Sequence, residues 1–228
     1  MRVLELFSGT GSISKICEKL GWECVSIDIN AKFATPTKIE DIMLWDYKAD
    51  YPVGHFDIIT ASPPCHTFSS LRYCWLGRVM KKFAPEPTTL EMLEKDMLKN
   101  GVPLLNKTRE IIEYFKPSSY WIENPSAGRM REFIKDIPVA EVSYCQYGFK
   151  YRKNTKIWNN FSFQGKACDG KNKHTTHKFA IGGQASNCVS SLAERYSIPP
   201  ELVKDLLISA MNNALASSQI KCPLTGEL

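Results

Sequence analysis

The chain has 228 residues, 43% of them hydrophobic and 11% aromatic, with 29 Lys and Arg against 24 Asp and Glu for a net charge of +5. That length holds one well-packed domain with at most a small appendage, and a mild positive balance is compatible with nucleic acid without requiring it. No run of about 18 apolar residues occurs, which excludes a helical membrane span, and Met1 leads straight into an apolar strand instead of a basic-then-apolar leader, so the expected location is cytoplasmic or nuclear, not secreted.

In chain order, Val3 to Phe7 is an apolar run ending in Ser8-Gly9-Thr10-Gly11, which predicts a buried strand and a tight turn. Ser12 to Leu20 has helical spacing, with Ile13, Ile16, Cys17 and Leu20 on one face and Gly21 as a stop. Glu23 to Ile29 reads as a second strand carrying Asp28 near its end, and Ile39 to Trp45 as a short turn. Phe56 to Ala61 is a third apolar strand, closed by Ser62-Pro63-Pro64. Leu90 to Leu98 has helical character, broken by Gly101 and Pro103, and Asn106 to Phe115 predicts another helix. Tyr120 to Glu123 and Val139 to Tyr144 read as strands, and Pro199-Pro200 opens a helix over Glu201 to Leu215. Strands alternating with helices predict an α/β fold, a parallel sheet with helices on both faces. The organisation expected is a core over 1–158, a polar insertion over 159–194 and a C-terminal helix returning to the core over 195–228.

Eight cysteines, at positions 17, 24, 65, 74, 145, 168, 188 and 222, form no C-x-x-C pair and read as mostly reduced, mostly core thiols. Cys168, His174, His177 and Cys188 carry zinc-ligand chemistry at a spacing that matches no standard finger, and no metal is assigned.

Three constellations carry chemistry. The turn Phe7-Ser8-Gly9-Thr10-Gly11 lets the backbone approach a ligand, and Asp28, 17 residues beyond Gly11 at the end of the next strand, can accept hydrogen bonds from ribose hydroxyls. With Ser14 at the third glycine position and no phosphate-binding lysine, the pattern suits a nucleoside cofactor without phosphates, such as S-adenosylmethionine. Second, Pro63-Pro64 makes a stiff exit that places Cys65, a soft nucleophile as its thiolate, at the C-terminal edge of the sheet. Third, Trp121-Ile122-Glu123-Asn124-Pro125 ends a strand in an acid that can serve as a general acid beside Cys65.

In order and spacing these residues resemble the cytosine-5 DNA methyltransferase family over most of 1–158 and again over about 195–216. The resemblance implies a Rossmann-like, S-adenosylmethionine-dependent methyltransferase fold acting on cytosine in DNA. It implies cofactor contacts at Phe7, Gly9, Thr10, Gly11, Ser12, Asp28, Ile29, Asp41, Ile42, Pro63 and Asn213, and substrate contacts at Pro64, Ser69, Asn124 and Gln146. Catalysis would fall to Cys65 attacking ring carbon 6, Glu123 on ring nitrogen 3, and Arg152 neutralising charge near the exocyclic oxygen. His66 to Arg78 would be a mobile loop over the flipped base, made basic for phosphate by Arg72, Arg78, Lys81 and Lys82, with Lys166, Lys171, Lys173 and Lys178 as further phosphate contacts.

The sequence departs from the family at Ser62, His66 and Pro125, and its Gln-x-Arg-x-Arg pattern is loosened to Gln146 through Lys153. Only residues 159–194 are available for target recognition, so recognition is expected to be minimal, relaxed or supplied by a partner. Two rivals stay open: the same chemistry on RNA or a free cytidine nucleotide, and a catalytically idle DNA-binding relative of the fold. Oligomeric state and target sequence are not legible.

Overall fold

The computed structural model describes residues 1–168, 180–181, 188–189 and 191–220. Strand β1 (Arg2–Leu6) leads through the glycine turn into helix α1 (Ser14–Lys19) and back along β2 (Glu23–Asp28). After β3 (Lys38–Ile39) and α2 (Tyr47–Asp50), β4 (Ile58–Ala61) enters the sheet centre. Then come α3 (Leu90–Asp96), α4 (Val102–Phe115) and β5 (Ser119–Pro125). The antiparallel strands β6 (Val139–Ser143) and β7 (Asn154–Asn159) follow. A small parallel pair, β8 (Ala180–Ile181) and β9 (Cys188–Val189), precedes α5 (Leu192–Tyr196) and the long α6 (Pro200–Ile220).

The seven-stranded sheet has the order β3-β2-β1-β4-β5-β7-β6. The first five strands are parallel, as expected; β7 pairs antiparallel with both β5 and β6. Strand order reverses between β1 and β4, and such a switch point opens a crevice at the carboxyl ends of the strands. Successive residues of each strand face opposite sides, which builds two cores. Val3, Ile58, Trp121 and Ile157 pack with α1 and with Leu202 and Leu206 of α6. Their sequence neighbours Leu4, Ile59, Ile122 and Trp158 pack with Leu105, Ile111 and Phe115 of α4. The α/β, Rossmann-like class expected from the sequence is the fold observed.

Two local expectations are corrected. Gly101 and Pro103 do not break the helical stretch: α3 passes through a π-helical turn (Met97–Gly101) into α4. Pro103 sits in the first turn of α4, where a missing N–H costs little. Gly101 serves a close approach instead: a Cβ there would strike the Thr67 Oγ1 and come within 3.0 Å of the Phe68 ring, both just beyond Cys65. Strand β7 was missed, although Thr155 and Ile157 are buried at alternating positions. Cys17, Cys145 and Cys168 are buried, in line with the reading of mostly core thiols, whereas Cys74 is exposed. The zinc question at His174 and His177, and the phosphate contacts at Lys171, Lys173 and Lys178, lie outside the described residues. No helix among the described residues is long and apolar enough to cross a membrane.

Candidate active site

A cleft of about 420 Å³ opens at the carboxyl ends of β1, β2, β4 and β5, within the usual range for small-ligand sites. Its β1 end is built on backbone geometry. Phe7, Gly9 and Gly11 all have positive φ, at 59°, 50° and 66°. For Gly11 a side chain would also crowd the Ser14 Oγ and Ala34. Glu5, buried within β1, accepts hydrogen bonds from the Ile13 (3.1 Å) and Ser14 (3.0 Å) amides and so holds the start of α1. Burial pushes its carboxyl up to about 7, against those amide hydrogen bonds, which pull it down. Asp28 accepts from the Gly9 (2.8 Å) and Asn30 (3.1 Å) amides, locking the turn to the end of β2. Asp41 caps its own turn by accepting from the Met43 amide, and Ile42 is buried beside it. The Ser12 Oγ accepts from the Ile198 amide at 3.0 Å, which brings the segment before α6 onto the same wall, with Tyr196.

The β4–β5 end is built on side chains. Pro63 and Pro64 deliver Cys65 to the first position of a 3₁₀ turn, Cys65–Thr67, whose Cys65 carbonyl accepts from the Phe68 and Ser69 amides. Asn124 is buried and donates its Nδ2 to the Pro63 carbonyl at 2.9 Å, so β5 fixes the Pro63–Cys65 segment directly. Burial pushes the Cys65 thiol up; Lys153 pulls it down and Glu123 adds to the rise. Glu123, nearly buried, accepts from the Tyr144 hydroxyl at 3.0 Å. Tyr144 is fully buried, and desolvation and then Glu123 hold its hydroxyl far above the ordinary range, so it stays a donor. The Lys153 Nζ lies 4.0 Å from the Glu123 Oε1 and 4.6 Å over the Tyr144 ring.

The structure thus brings Phe7, Gly9, Thr10, Ser12, Asp28, Ile29, Asp41, Ile42, Pro63, Pro64, Cys65, Glu123 and Asn124 to one cleft. Gly11 supports the turn without lining the cleft, and the Ser69 Oγ caps the Leu71 amide. Gln146 is half-buried and outside the lining. Arg152 is exposed and its Nε donates to the Asn154 Oδ1 at 3.1 Å; the cation at the cleft is Lys153. Asn213 donates to the Ser118 carbonyl and the Ser119 Oγ, at the amino end of β5 and so at the far edge of the sheet. It lies 13 residues into α6, about 20 Å along the axis at 1.5 Å per residue. Tyr196 and Ile198 stand in its place. Arg72 is no surface cation: it is buried and paired with Asp96. Lys82 also meets Asp96, and Lys166 lies 3.6 Å from Asp205.

Glu5, Lys153, Tyr196 and Ile198 line the cleft, and Tyr144 holds Glu123 from behind it, without the sequence having singled them out. An acid inside the otherwise apolar run Val3 to Phe7 was the available signal for Glu5.

The family model for C-5 cytosine-specific DNA methylase matches residues 1–125. A protein of Frog virus 3 (isolate Goorha), named as a probable DNA (cytosine-5)-methyltransferase, is 35% identical over 224 residues, covering 91% of this chain and 99% of that one. The solved structure of a candidate DNA modification methyltransferase encoded within an E. coli prophage is 15% identical, with a TM-score of 0.43 over 70% of this chain and 46% of that one.

Proposed function

The chain belongs to the C-5 cytosine-specific DNA methylase family, and from that premise we propose that it transfers a methyl group from S-adenosylmethionine to carbon 5 of cytosine in DNA, with Cys65 as covalent nucleophile. The observation that carries this reading is the convergence of Cys65, Glu123 and Lys153 at one end of a cleft whose other end is the positive-φ turn and Asp28.

The β1 end fits a nucleoside thioether. Asp28 presents a carboxylate to ribose hydroxyls, and Ile29 and Ile42 flank the space for a base. No Lys or Arg lines this end of the cleft, and the nearest, Lys15, donates its Nζ to the Thr10 carbonyl at 2.6 Å, which favours a ligand without phosphates. Bound there, S-adenosylmethionine supplies an electrophilic methyl group. The chain's own residues do the rest. The Cys65 thiolate adds to ring carbon 6, and the displaced electron pair moves to carbon 5. Glu123, oriented by the Tyr144 hydroxyl on one oxygen, delivers a proton from its other oxygen to ring nitrogen 3 as the thiolate adds, which neutralises the negative charge that develops there, and takes the proton back when Cys65 leaves. Lys153 stabilises the thiolate before attack and the developing ring anion after it. Once carbon 5 carries the methyl group, its proton leaves to solvent in the open cleft and the returning electrons expel Cys65. A cytosine in a duplex has to leave the stack to reach this geometry. Recognition is correspondingly assigned to a reduced region within 159–194.

The test is nucleoside mass spectrometry after incubation with S-adenosylmethionine and, separately, duplex DNA, transfer RNA and free cytidine nucleotides, with Cys65→Ser alongside. 5-Methylcytosine in DNA that vanishes with Cys65→Ser is the expected result. Methylation of RNA or nucleotide alone would replace the substrate, and cofactor binding without any transfer would reject the activity.

A further inference from the structure

One proton in the proposed reaction, the one that leaves carbon 5, has no acceptor among Cys65, Glu123 and Lys153. Cys65 is bonded to carbon 6 when that proton departs. Glu123 is engaged at ring nitrogen 3, and an ammonium such as that of Lys153 has no lone pair to offer.

Stereochemistry says where the acceptor stands. A cysteine sulfur and a methyl donor are too bulky to meet adjacent carbons of one ring from the same face. The thiolate therefore adds from one face and the methyl group arrives from the other. As carbon 5 becomes tetrahedral, the incoming methyl group pushes its hydrogen to the opposite face, which is the face held by Cys65. The base belongs beside the nucleophile.

His66 stands there. It is the middle residue of the 3₁₀ turn Cys65–Thr67 and lines the cleft with Cys65. The turn is held on both sides. The Cys65 carbonyl accepts from the Phe68 and Ser69 amides at 3.0 and 2.9 Å, and the Phe68 carbonyl accepts from the Arg129 amide at 2.8 Å. Arg72 reaches back with its Nη1 to the Thr67 carbonyl at 2.9 Å and with its Nη2 to the buried Asp96, which also meets Lys82. The expectation of a mobile loop from His66 onward gives way, at its start, to a pinned turn.

The imidazole itself is uncommitted. It opens to the cleft and makes no side-chain hydrogen bond or ion pair among the described residues. The surrounding walls desolvate it and hold it below the ordinary imidazole value; Asp96 opposes this, and Lys82 and Arg72 add to it. Glu123 and Lys153 are the charged groups facing it across the cleft. At neutral pH such a ring is uncharged and keeps one nitrogen lone pair for a proton. His66 is also one of the positions at which the chain departs from its family.

We propose that His66 is the base that removes the proton from carbon 5, which rests on the reading of the chain as a cytosine-5 methyltransferase. The carbon–hydrogen bond breaks and its electron pair restores the double bond between carbons 5 and 6. The bond from Cys65 to carbon 6 breaks in turn, and sulfur leaves with its pair as thiolate. His66 passes the proton on to solvent in the open cleft.

The experiment is a rapid-quench single turnover with methyl-labelled S-adenosylmethionine and duplex DNA carrying tritium at carbon 5 of cytosine. Wild type, His66→Gln and His66→Ala are compared across pH, the last also with added imidazole. His66 is exposed, so folding and cofactor affinity, checked by circular dichroism and calorimetry, are expected to hold. Tritium release should fall about 10²-fold or more in both variants, the usual worth of a positioned base. Methyl transfer to the ring should stay within twofold, so a methylated adduct on Cys65 that survives denaturation should accumulate. Wild-type release should decline as pH falls below the ordinary imidazole range, because the ring must be neutral to accept. That decline should vanish in His66→Gln, and imidazole should restore release in His66→Ala. Release within twofold of wild type in both variants would overturn the proposal and leave the methyltransferase reading standing. An equal loss of methyl transfer and release, with no adduct, would make His66 a positioning residue for Cys65 and also overturn it. Wild type that forms no 5-methylcytosine in any substrate would overturn both readings.

Discussion

The two ends of the cleft are held by different kinds of bond. At the β1–β2 end, the carboxylates of Glu5 and Asp28 accept from backbone amides and fix the path of the chain itself. At the β4–β5–β7 end, side chain meets side chain: Tyr144 on Glu123, Lys153 beside Glu123 and within electrostatic reach of Cys65. A backbone cradle tolerates little change in shape but does not depend on the identity of one charge. A side-chain cluster keeps its shape when a residue is replaced and loses its chemistry. Substitutions should therefore separate the ends, activity failing first at one and stability at the other.

The largest effect is expected at Cys65. Cys65→Ala should abolish methyl transfer while cofactor affinity, measured by calorimetry, stays near wild type. Next, Glu123→Gln should cost about 10² to 10⁴ in kcat, the usual worth of a positioned acid; a drop confined to KM would instead make Glu123 a binding residue. Lys153→Met follows, with a loss of roughly ten- to a hundredfold. Because Lys153 draws the Cys65 thiol down, its removal should move the pH profile of iodoacetamide alkylation at Cys65 to higher pH. A profile that stays in place would remove Lys153 from the cluster.

Two further effects are expected on stability, one beside Cys65 and one at the backbone end. Gly101→Ala inserts a methyl group against Thr67 and Phe68, and overpacking of this kind costs about 1–3 kcal/mol in denaturant unfolding. Glu5 has its carboxyl raised to about 7 in the folded chain, so folding takes up a proton between the ordinary carboxylate range and that value. The stability it confers is complete below pH 4 and declines as pH rises through 7, by up to about 3 kcal/mol at roughly 1.4 kcal/mol per pH unit. Melting temperature should fall between pH 5 and 8 in wild type and fall less in Glu5→Gln; parallel curves would contradict the assignment.

The same contrast explains what could be read in the sequence. The glycine turn, Pro63-Pro64-Cys65 and Glu123-Asn124 were legible because each is a short run whose chemistry depends on local backbone geometry. The choice between Arg152 and Lys153 was not. These neighbours enter β7, where adjacent side chains point to opposite faces and a one-residue slip exchanges inside for outside. The inward turn of Arg72 depends on Asp96, 24 residues away in sequence, and no local pattern carries that. Asn213 was misplaced because a match to a short motif does not fix how far along a 21-residue helix that motif falls from the cleft. Strand β7 escaped notice because its polar residues, Asn154, Lys156 and Asn159, masked a period-two pattern.

Covalent chemistry at Cys65 is the central claim, and a trapped adduct tests it most directly. The protein is incubated with S-adenosylmethionine and a duplex whose cytosines carry fluorine at carbon 5, which cannot leave as the proton does. The expected result is a complex that survives denaturation and, after digestion, shows the modified base on the peptide containing Cys65, with no complex from Cys65→Ser. A complex of equal yield from Cys65→Ser, or one mapped to the exposed thiol of Cys74, would contradict it.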